Sequence, residues 1–229
     1  MYNSKSTSVS VAIFSELFWP EGGGAELATY IITKDILSNK FRVTIVSATK
    51  RPSHDILKNC RYLYWHNLSA KFKPIEWLKI FLSRSTLKKI VESSDIIYIP
   101  SHTLLPLAIV CKYINPKTKI ILHLHDYQPL TYTSVILAKM KLSLHSDLIV
   151  EAMENDLVRA ILSSIIRPLN KINLVALRFA DKIICVSNRQ YDILSYFASF
   201  IKHKCTVIYN PLPPLRCVRK RLCNIPTFL

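Results

Sequence analysis

A chain of 229 residues is long enough for one large α/β domain with a sizeable core, or for two small ones, and half of its residues are apolar, which excludes a disordered polypeptide. Its 31 Lys and Arg stand against 15 Asp and Glu; the net charge of +16 implies an anionic partner, whether nucleic acid, anionic lipid or a phosphorylated substrate. The 6 cysteines contain no Cys-x-x-Cys pair, so they announce neither a zinc site nor a disulfide scaffold and fit a reducing cytoplasm.

Residues 9–15 (VSVAIFS) are apolar and rich in β-branched side chains, and read as a buried parallel strand. The turn FWPEGGG follows, and residues 25–40 have helical spacing. Residues 41–47 (FRVTIVS) predict a second strand and residues 62–66 a third. A basic helix is predicted over 74–92, a strand over 95–100 (DIIYIP), an apolar helix over 103–114 and a strand over 119–125 (KIILHLH). A longer helical region covers about 148–179, interrupted at Pro168. A strand over 181–187 (DKIICVS), a helix over 188–200 and a strand over 206–209 (TVIY) complete the alternation.

Repeated β-α-β units predict an α/β fold, a Rossmann-like parallel sheet with helices on both faces. The domain is expected to span 1–212, with 213–229 a basic, proline-containing tail or the start of an interdomain linker. Residues 1–10 lack the apolar core of a signal peptide, and no uninterrupted apolar run reaches 18 residues. Between residues 50 and 90, ten basic side chains face only Asp55 and Glu76, leaving eight net positives; this is either a solvated basic surface or one that faces an anion.

The 3 glycines of the chain are consecutive, Gly22, Gly23 and Gly24, and lie between the first strand and the first helix. In a parallel sheet this is the carboxyl end of a strand, where ligands bind and where a helix N-terminus favours an anion. The pattern is neither Gly-x-Gly-x-x-Gly nor a Walker loop, so ordinary dinucleotide or ATP binding is not indicated. Glu26, on the first helical turn, is either a substrate partner or a favourable charge at a helix start. His123 and His125 share one face of their strand, and His125, Asp126 and Tyr127 reach the same sheet edge as the glycines. His123 reads as a structural residue and His125 as functional. A His-x-His zinc pair lacks a third ligand. Ser101, His102, Ser187, Asn188 and Asn210 follow other strands and mark the same rim; Ser187 and Asn188 also have a helix-capping explanation.

PEGGGAE (residues 20–26) resembles the P-x-x-G-G-x-E loop of family-4 retaining glycosyltransferases of the GT-B fold. HLHDYQP resembles that family's His-Asp segment, ADKIICVSN its A-D-x-I-I-x-V-S segment and TVIYNPL its V-I-x-N-P segment before the interdomain linker. The likeness covers about residues 8–212. It implies the N-terminal, acceptor-side half of a GT-B enzyme that moves a sugar from a nucleotide-sugar donor to a lipid-linked or saccharide acceptor. Gly23 and Gly24 match the glycine pair that approaches donor phosphate or acceptor. His125 matches the histidine that contacts the transferred sugar and supports catalysis; Glu26, Asp126, Ser187 and Asn210 are assigned to substrate binding. No metal or other cofactor is implied.

The family's C-terminal domain supplies a basic residue for the diphosphate and a Glu-x7-Glu segment for the donor. No counterpart is found after Leu212, so a C-terminal half supplied by another chain is an expected partner. The resemblance also implies peripheral docking on an anionic membrane at the cytoplasmic face, with Trp77, Phe81 and Leu82 as apolar contacts. Two other readings stand beside it: a noncatalytic remnant or subunit that binds a membrane or a partner half, and a nucleic-acid-binding module. The last rests on charge alone, lacks any recognised nucleic-acid-binding signature, and is not adopted.

Overall fold

The computed structural model describes residues 9–69, 73–136, 144–154 and 167–213, with single helical positions at 161 and 165. Seven strands are present among the described residues: β1 (Ser10–Ser15), β2 (Arg42–Ser47), β3 (Arg61–Tyr64), β4 (Ile96–Ile99), β5 (Lys119–Leu124), β6 (Lys182–Cys185) and β7 (Cys205–Val207). They form one sheet in the order β3-β2-β1-β4-β5-β6-β7, every neighbouring pair parallel. β1 is central, and all six of its residues are buried, as its uninterrupted β-branched and apolar sequence requires. The chain moves outward from β1 to β3 and then returns to β4 on the other side. The order therefore reverses between β1 and β4, and a crevice opens beyond their carboxyl ends.

The helices are α1 (Gly24–Ile32), α2 (Ser38–Lys40), α3 (His54–Asn59), α4 (Lys73–Leu82), α5 (Arg84–Glu92), α6 (Leu107–Ile114), α7 (Leu144–Glu154), α8 (Lys171–Phe179) and α9 (Asn188–Phe197). A five-residue widened turn, Thr33–Leu37, joins α1 to α2. Right-handed crossovers decide which face each helix covers. Ala12, Phe14, Ile97, Ile99, Ile120 and Leu122 point to one face and pack with Ile80, Leu87, Val91, Leu107, Ala176 and Leu194 of α4, α5, α6, α8 and α9. The alternate residues Val11, Ile13, Val43, Ile45 and Tyr98 point to the other face, where Ile56 of α3 and Tyr30 of α1 cover them. Among the described residues that helix cover reaches only the β1–β3 side. Over Ile96, Tyr98, Ile121, His123 and Ile184 lies an open apolar recess of about 290 Å3, rimmed by Ile36, Phe41 and Ile208.

Two aspartates fasten the amino end of the sheet. Asp95 accepts the Ser10 N–H at 2.8 Å and the Ser10 hydroxyl at 2.7 Å. Asp181 accepts the Ile120 N–H at 2.9 Å and pairs with Lys112 at 2.8 Å.

The expected strands are present; of the helical region expected over about 148–179, Leu144–Glu154 and Lys171–Phe179 are helical while residues 155–160, 162–164 and 166 lie outside the described residues, and the other helices show three local differences. The predicted basic helix over 74–92 is two helices that break at Ser83, whose carbonyl accepts the Leu87 N–H while its own N–H turns back to Lys79. The predicted helix over 103–114 begins as a tight turn, His102–Leu104, and becomes α-helical only after Pro106, which supplies a fixed φ for the helix start. Short α3 was not anticipated. The apolar contacts expected on α4 also need correction. Trp77 is buried at 4% exposure and its indole N–H donates to the Thr103 carbonyl at 2.9 Å, because a buried indole needs an acceptor. The apolar side chains that α4 exposes are Ile75, Leu78, Phe81 and Leu82. Of the predicted tail, residues 214–229 lie outside the described residues.

Candidate functional site at the carboxyl edge of the sheet

The loop after β1 is held by its own chain. The Phe18 N–H donates to the Thr49 hydroxyl at 2.8 Å, and that hydroxyl donates back to the Phe18 carbonyl at 3.2 Å. The three glycines then divide the work. Gly22 has φ +93°, and a Cβ there would meet Cγ of Glu26 at 2.5 Å, so this position needs glycine for the fold itself. Gly23 and Gly24 are exposed, with nothing closer than 3.8 Å to a Cβ on the first and nothing within 4 Å on the second. Their bare backbone therefore leaves open space at the start of α1. The Glu26 carboxylate folds back and accepts the Gly23 N–H at 2.7 Å, which is its capping role made visible.

Across the crevice, β5 delivers the histidine pair, with ring centroids 4.2 Å apart. His123 is 1% exposed, its Nδ1 lies 2.5 Å from the Tyr98 hydroxyl, and burial with His125 alongside pushes its pKa down to about 3. It is a neutral core residue, as expected from its depth in the strand. His125 stands just beyond the strand end. Burial lowers its pKa; the charges of Asp126 and Glu26 oppose that shift, and His102 reinforces it. The glycine loop follows β1 and the histidine follows β5 in one all-parallel sheet, so both leave it at the carboxyl edge. Asn210 Nδ2 lies 3.3 Å from His125 Nδ1. With the amide donating there, the proton of the neutral imidazole sits on Nε2. That nitrogen is buried and has no hydrogen-bond partner among the described residues.

Asp126 ties three strand ends together. Its Oδ2 lies 3.0 Å from His102 Nδ1, its Oδ1 accepts the Gln128 N–H at 2.9 Å, and its carbonyl accepts from the Gln190 side chain at 2.9 Å. Ser187 caps α9, its hydroxyl accepting the Gln190 N–H at 3.1 Å. Asn188 reaches the Tyr209 hydroxyl at 3.2 Å. The rim thus brings together Gly23, Gly24, Glu26, His125, Asp126 and Asn210, while the Ser187 hydroxyl is engaged in its own helix start.

A second polar group beside β1 was not anticipated. Thr103 Oγ1 lies 2.8 Å from Glu16 Oε2 and 3.0 Å from Glu76 Oε1. Glu76 is fully buried; burial, then the Glu16 charge, pushes its pKa up to about 9, and its Oε2 has no partner among the described residues. Lys73 donates to the Tyr132 carbonyl at 2.8 Å. Burial lowers its pKa against the pull of Asp126, Glu151, Glu76 and Glu16. Asp147, whose pKa burial raises, feels Lys73 and pairs with Arg167 at 2.6 Å. Among the described residues no three His, Cys, Asp or Glu side chains are grouped so as to hold a metal ion.

The model of Glycosyltransferase Family 4 matches residues 22–214. The chain belongs to glycosyltransferase family 4. Solved structures agree on the fold. The family-4 domain superposes on the lipopolysaccharide outer core galactosyltransferase WaaB in its apo form with a TM-score of 0.51 and 15% identity, over 89% of this chain and 46% of that one. Anabaena Alr3699/HepE in complex with UDP-glucose matches with a TM-score of 0.52 and 14% identity, over 89% and 44%. A UGT transferase from Siraitia grosvenorii in complex with UDP matches at 0.51 and 10% identity, over 88% and 50%. The family-4 domain therefore spans about half the length of these structures. No curated protein matched it.

The motif residues of this family-4 domain were visible because each follows a strand at short range. Glu16, Lys73, Glu76 and Thr103 were missed. Glu16 could have been suspected from its place at the end of the first strand, ahead of the glycine loop; no local pattern marks Glu76 or Thr103, which meet Glu16 only through the sheet.

Proposed function

We propose that this family-4 domain is the acceptor-side half of a nucleotide-sugar-dependent glycosyltransferase. It moves a hexose to a lipid-linked or saccharide acceptor when a donor-binding half, from sequence beyond this chain or from a second chain, closes over the crevice. The observation that carries the reading is the buried Nε2 of neutral His125, without a partner among the described residues, on the same sheet edge as the open backbone of Gly23 and Gly24. A neutral imidazole N–H is a fixed donor for a sugar oxygen, and two bare glycines at a helix start accommodate a phosphate or the acceptor. UDP and UDP-glucose in structural neighbours support a nucleotide-sugar as donor. Electrostatic stabilisation of the departing nucleoside diphosphate falls to the donor-binding half.

The test is a transfer and donor-hydrolysis assay with this chain alone and with a family-4 donor-binding half added. Turnover that appears only in the mixture, and that is lost in His125→Ala and Gly24→Val, supports the reading. Equal rates in both variants and the parent remove the site assignment.

The acceptor's setting follows from the basic helices. α4 exposes Ile75, Leu78, Phe81 and Leu82, and α5 exposes Arg84, Lys88 and Lys89 beside them. Apolar insertion next to cations suits peripheral docking on an anionic bilayer, at about 1 kcal/mol per basic residue near the surface. No helix among the described residues is long and apolar enough to cross a membrane. Sedimentation with phosphatidylglycerol vesicles at low salt, weakened by raised salt and by Leu78→Asp with Leu82→Asp, is the expected result; no sedimentation at low salt refutes it.

A further inference from the structure

The chain carries +16, yet five of its 15 acidic residues (Glu16, Glu76, Asp126, Asp147 and Glu151) act electrostatically on Lys73. In a chain of strongly positive net charge, that is a local concentration of negative charge around one lysine. Within that group the Thr103 hydroxyl owns a single proton but approaches carboxylate oxygens on both sides, at 2.8 and 3.0 Å, so one of the two acids holds a proton of its own. Burial selects which: Glu76 is fully buried and Glu16 only half-buried, so the charge is cheaper on Glu16. Thr103 then donates to the nearer oxygen, Glu16 Oε2, and the Glu76 carboxylic acid donates to Thr103. The fully buried position of Glu76 and its unpartnered Oε2 suit the neutral form.

Glu16 differs from Glu76 in access and in anchoring. It is half-buried, directly follows β1 at the crevice, and its carbonyl is fixed by the Ala48 N–H at 3.0 Å and the Ser47 hydroxyl at 3.1 Å. Among the described residues its second oxygen, Oε1, has only the Ser69 hydroxyl at 3.4 Å, a long contact that leaves room for a better donor. A rigid carboxylate with a free acceptor oxygen binds hydroxyl groups and repels a phosphate.

We propose that Glu16, oriented by Thr103 and Glu76, is a specificity-determining residue of the acceptor subsite that takes the hydroxyls of a neutral sugar and rejects a sugar phosphorylated at that end. This rests on the acceptor-side reading above and adds the class of acceptor. Thr103 and Glu76 act through Glu16 and are positioning residues.

The whole chain is probed by saturation-transfer NMR with methyl α-D-glucopyranoside, methyl β-D-galactopyranoside and glucose 6-phosphate. The expected result is binding of at least one methyl hexoside and none of the phosphate. Glu16→Ala should weaken the hexoside at least about tenfold, as loss of a charge-assisted hydrogen bond predicts. Glu16→Gln, similar in shape and uncharged, should restore most hexoside binding and admit glucose 6-phosphate; a merely structural role would not shift that preference. Thermal unfolding verifies that each variant is folded. Hexoside binding unchanged in Glu16→Ala, phosphate binding equal to hexoside binding in the parent, or no hexoside binding at all overturns the proposal. A completed enzyme that transfers sugar with the same acceptor KM in Glu16→Ala also overturns it while leaving the glycosyl-transfer reading intact. Glu16-dependent hexoside binding without transfer in any completed mixture does the reverse.

Discussion

The two ends of the sheet treat the same side chains in opposite ways. At the amino end, Asp95 and Asp181 are committed to strand N–H groups and cations, and both are held below the usual carboxylate range. For Asp95 the Ser10 backbone and hydroxyl do this; for Asp181, burial pushes upward but Lys112, the Ile120 N–H and Lys119 outweigh it. At the carboxyl end, Glu76 is pushed up and His125 down, each toward its neutral form, and each keeps a polar atom without a partner among the described residues. The two aspartates that hold strands together are charged and satisfied; Glu76 and His125, beside the crevice, are neutral and incompletely satisfied. Unmet hydrogen-bonding capacity in a buried group costs stability, and its concentration at one edge separates a site from a scaffold.

The contrast predicts a graded series. The largest effect is on turnover: in the enzyme completed by a donor-binding half, His125→Ala should lower kcat/KM about 10²–10⁴-fold, the range for a positioned proton-bearing group, without shifting the unfolding midpoint much. Measured rates within a few-fold of the parent would erase the distinction between the two ends.

Next is Glu76→Gln. The folded pKa of about 9 lies above the ordinary 4.5, so the native state binds the extra proton. Its contribution to stability is complete below the unfolded value and drains away as pH rises toward the folded one. Replacing the acid by an amide should raise the unfolding free energy on the order of 3 kcal/mol at pH 7 and change it little at pH 4. Urea titrations across that range check the slope.

At the other end the sign inverts. Asp181→Ala should cost roughly 2–3 kcal/mol because Lys112 and the Ile120 N–H lose their acceptor. The Asp181 contribution is present above the unfolded carboxyl pKa and lost as pH falls toward the depressed folded value, so the deficit of the variant should shrink in acid. A deficit that is flat with pH contradicts the assignment.

The smallest effect separates neighbours in one loop. Gly22→Ala should destabilise by about 1–2 kcal/mol because of its positive φ and the Glu26 contact. Gly24→Ala should leave the unfolding midpoint within about 0.5 kcal/mol, since nothing lies where its Cβ would be.

Much of this architecture was legible because it is local. Val11 and Ile13 alternate with Ala12 and Phe14 between two cores, and each strand is followed by its own turn and helix. The break at Ser83 was hidden because Leu82, Ser83 and Arg84 include neither Gly nor Pro, and α3, only six residues long, is too short for a periodic pattern. Trp77 was misassigned for a related reason. Helical spacing groups it with Phe81, but its indole N–H seeks the Thr103 carbonyl, a contact 26 positions away in the chain. The Glu16–Thr103 contact joins residues 87 apart, so no window along the sequence could display it. The rim motifs were visible as loop chemistry; the contact of Thr103 with Glu16 and Glu76 exists only after the sheet has formed.

The apolar recess over β4, β5 and β6 has a practical corollary. Among the described residues no helix covers the half-sheet rimmed by Ile36, Phe41 and Ile208, and that surface meets water. Water on that much aliphatic surface favours clumping, and warming favours it further because hydrophobic association strengthens with temperature. Purification is therefore best kept cold and dilute, and environment-sensitive dyes will light up on properly folded material as well as on damaged material.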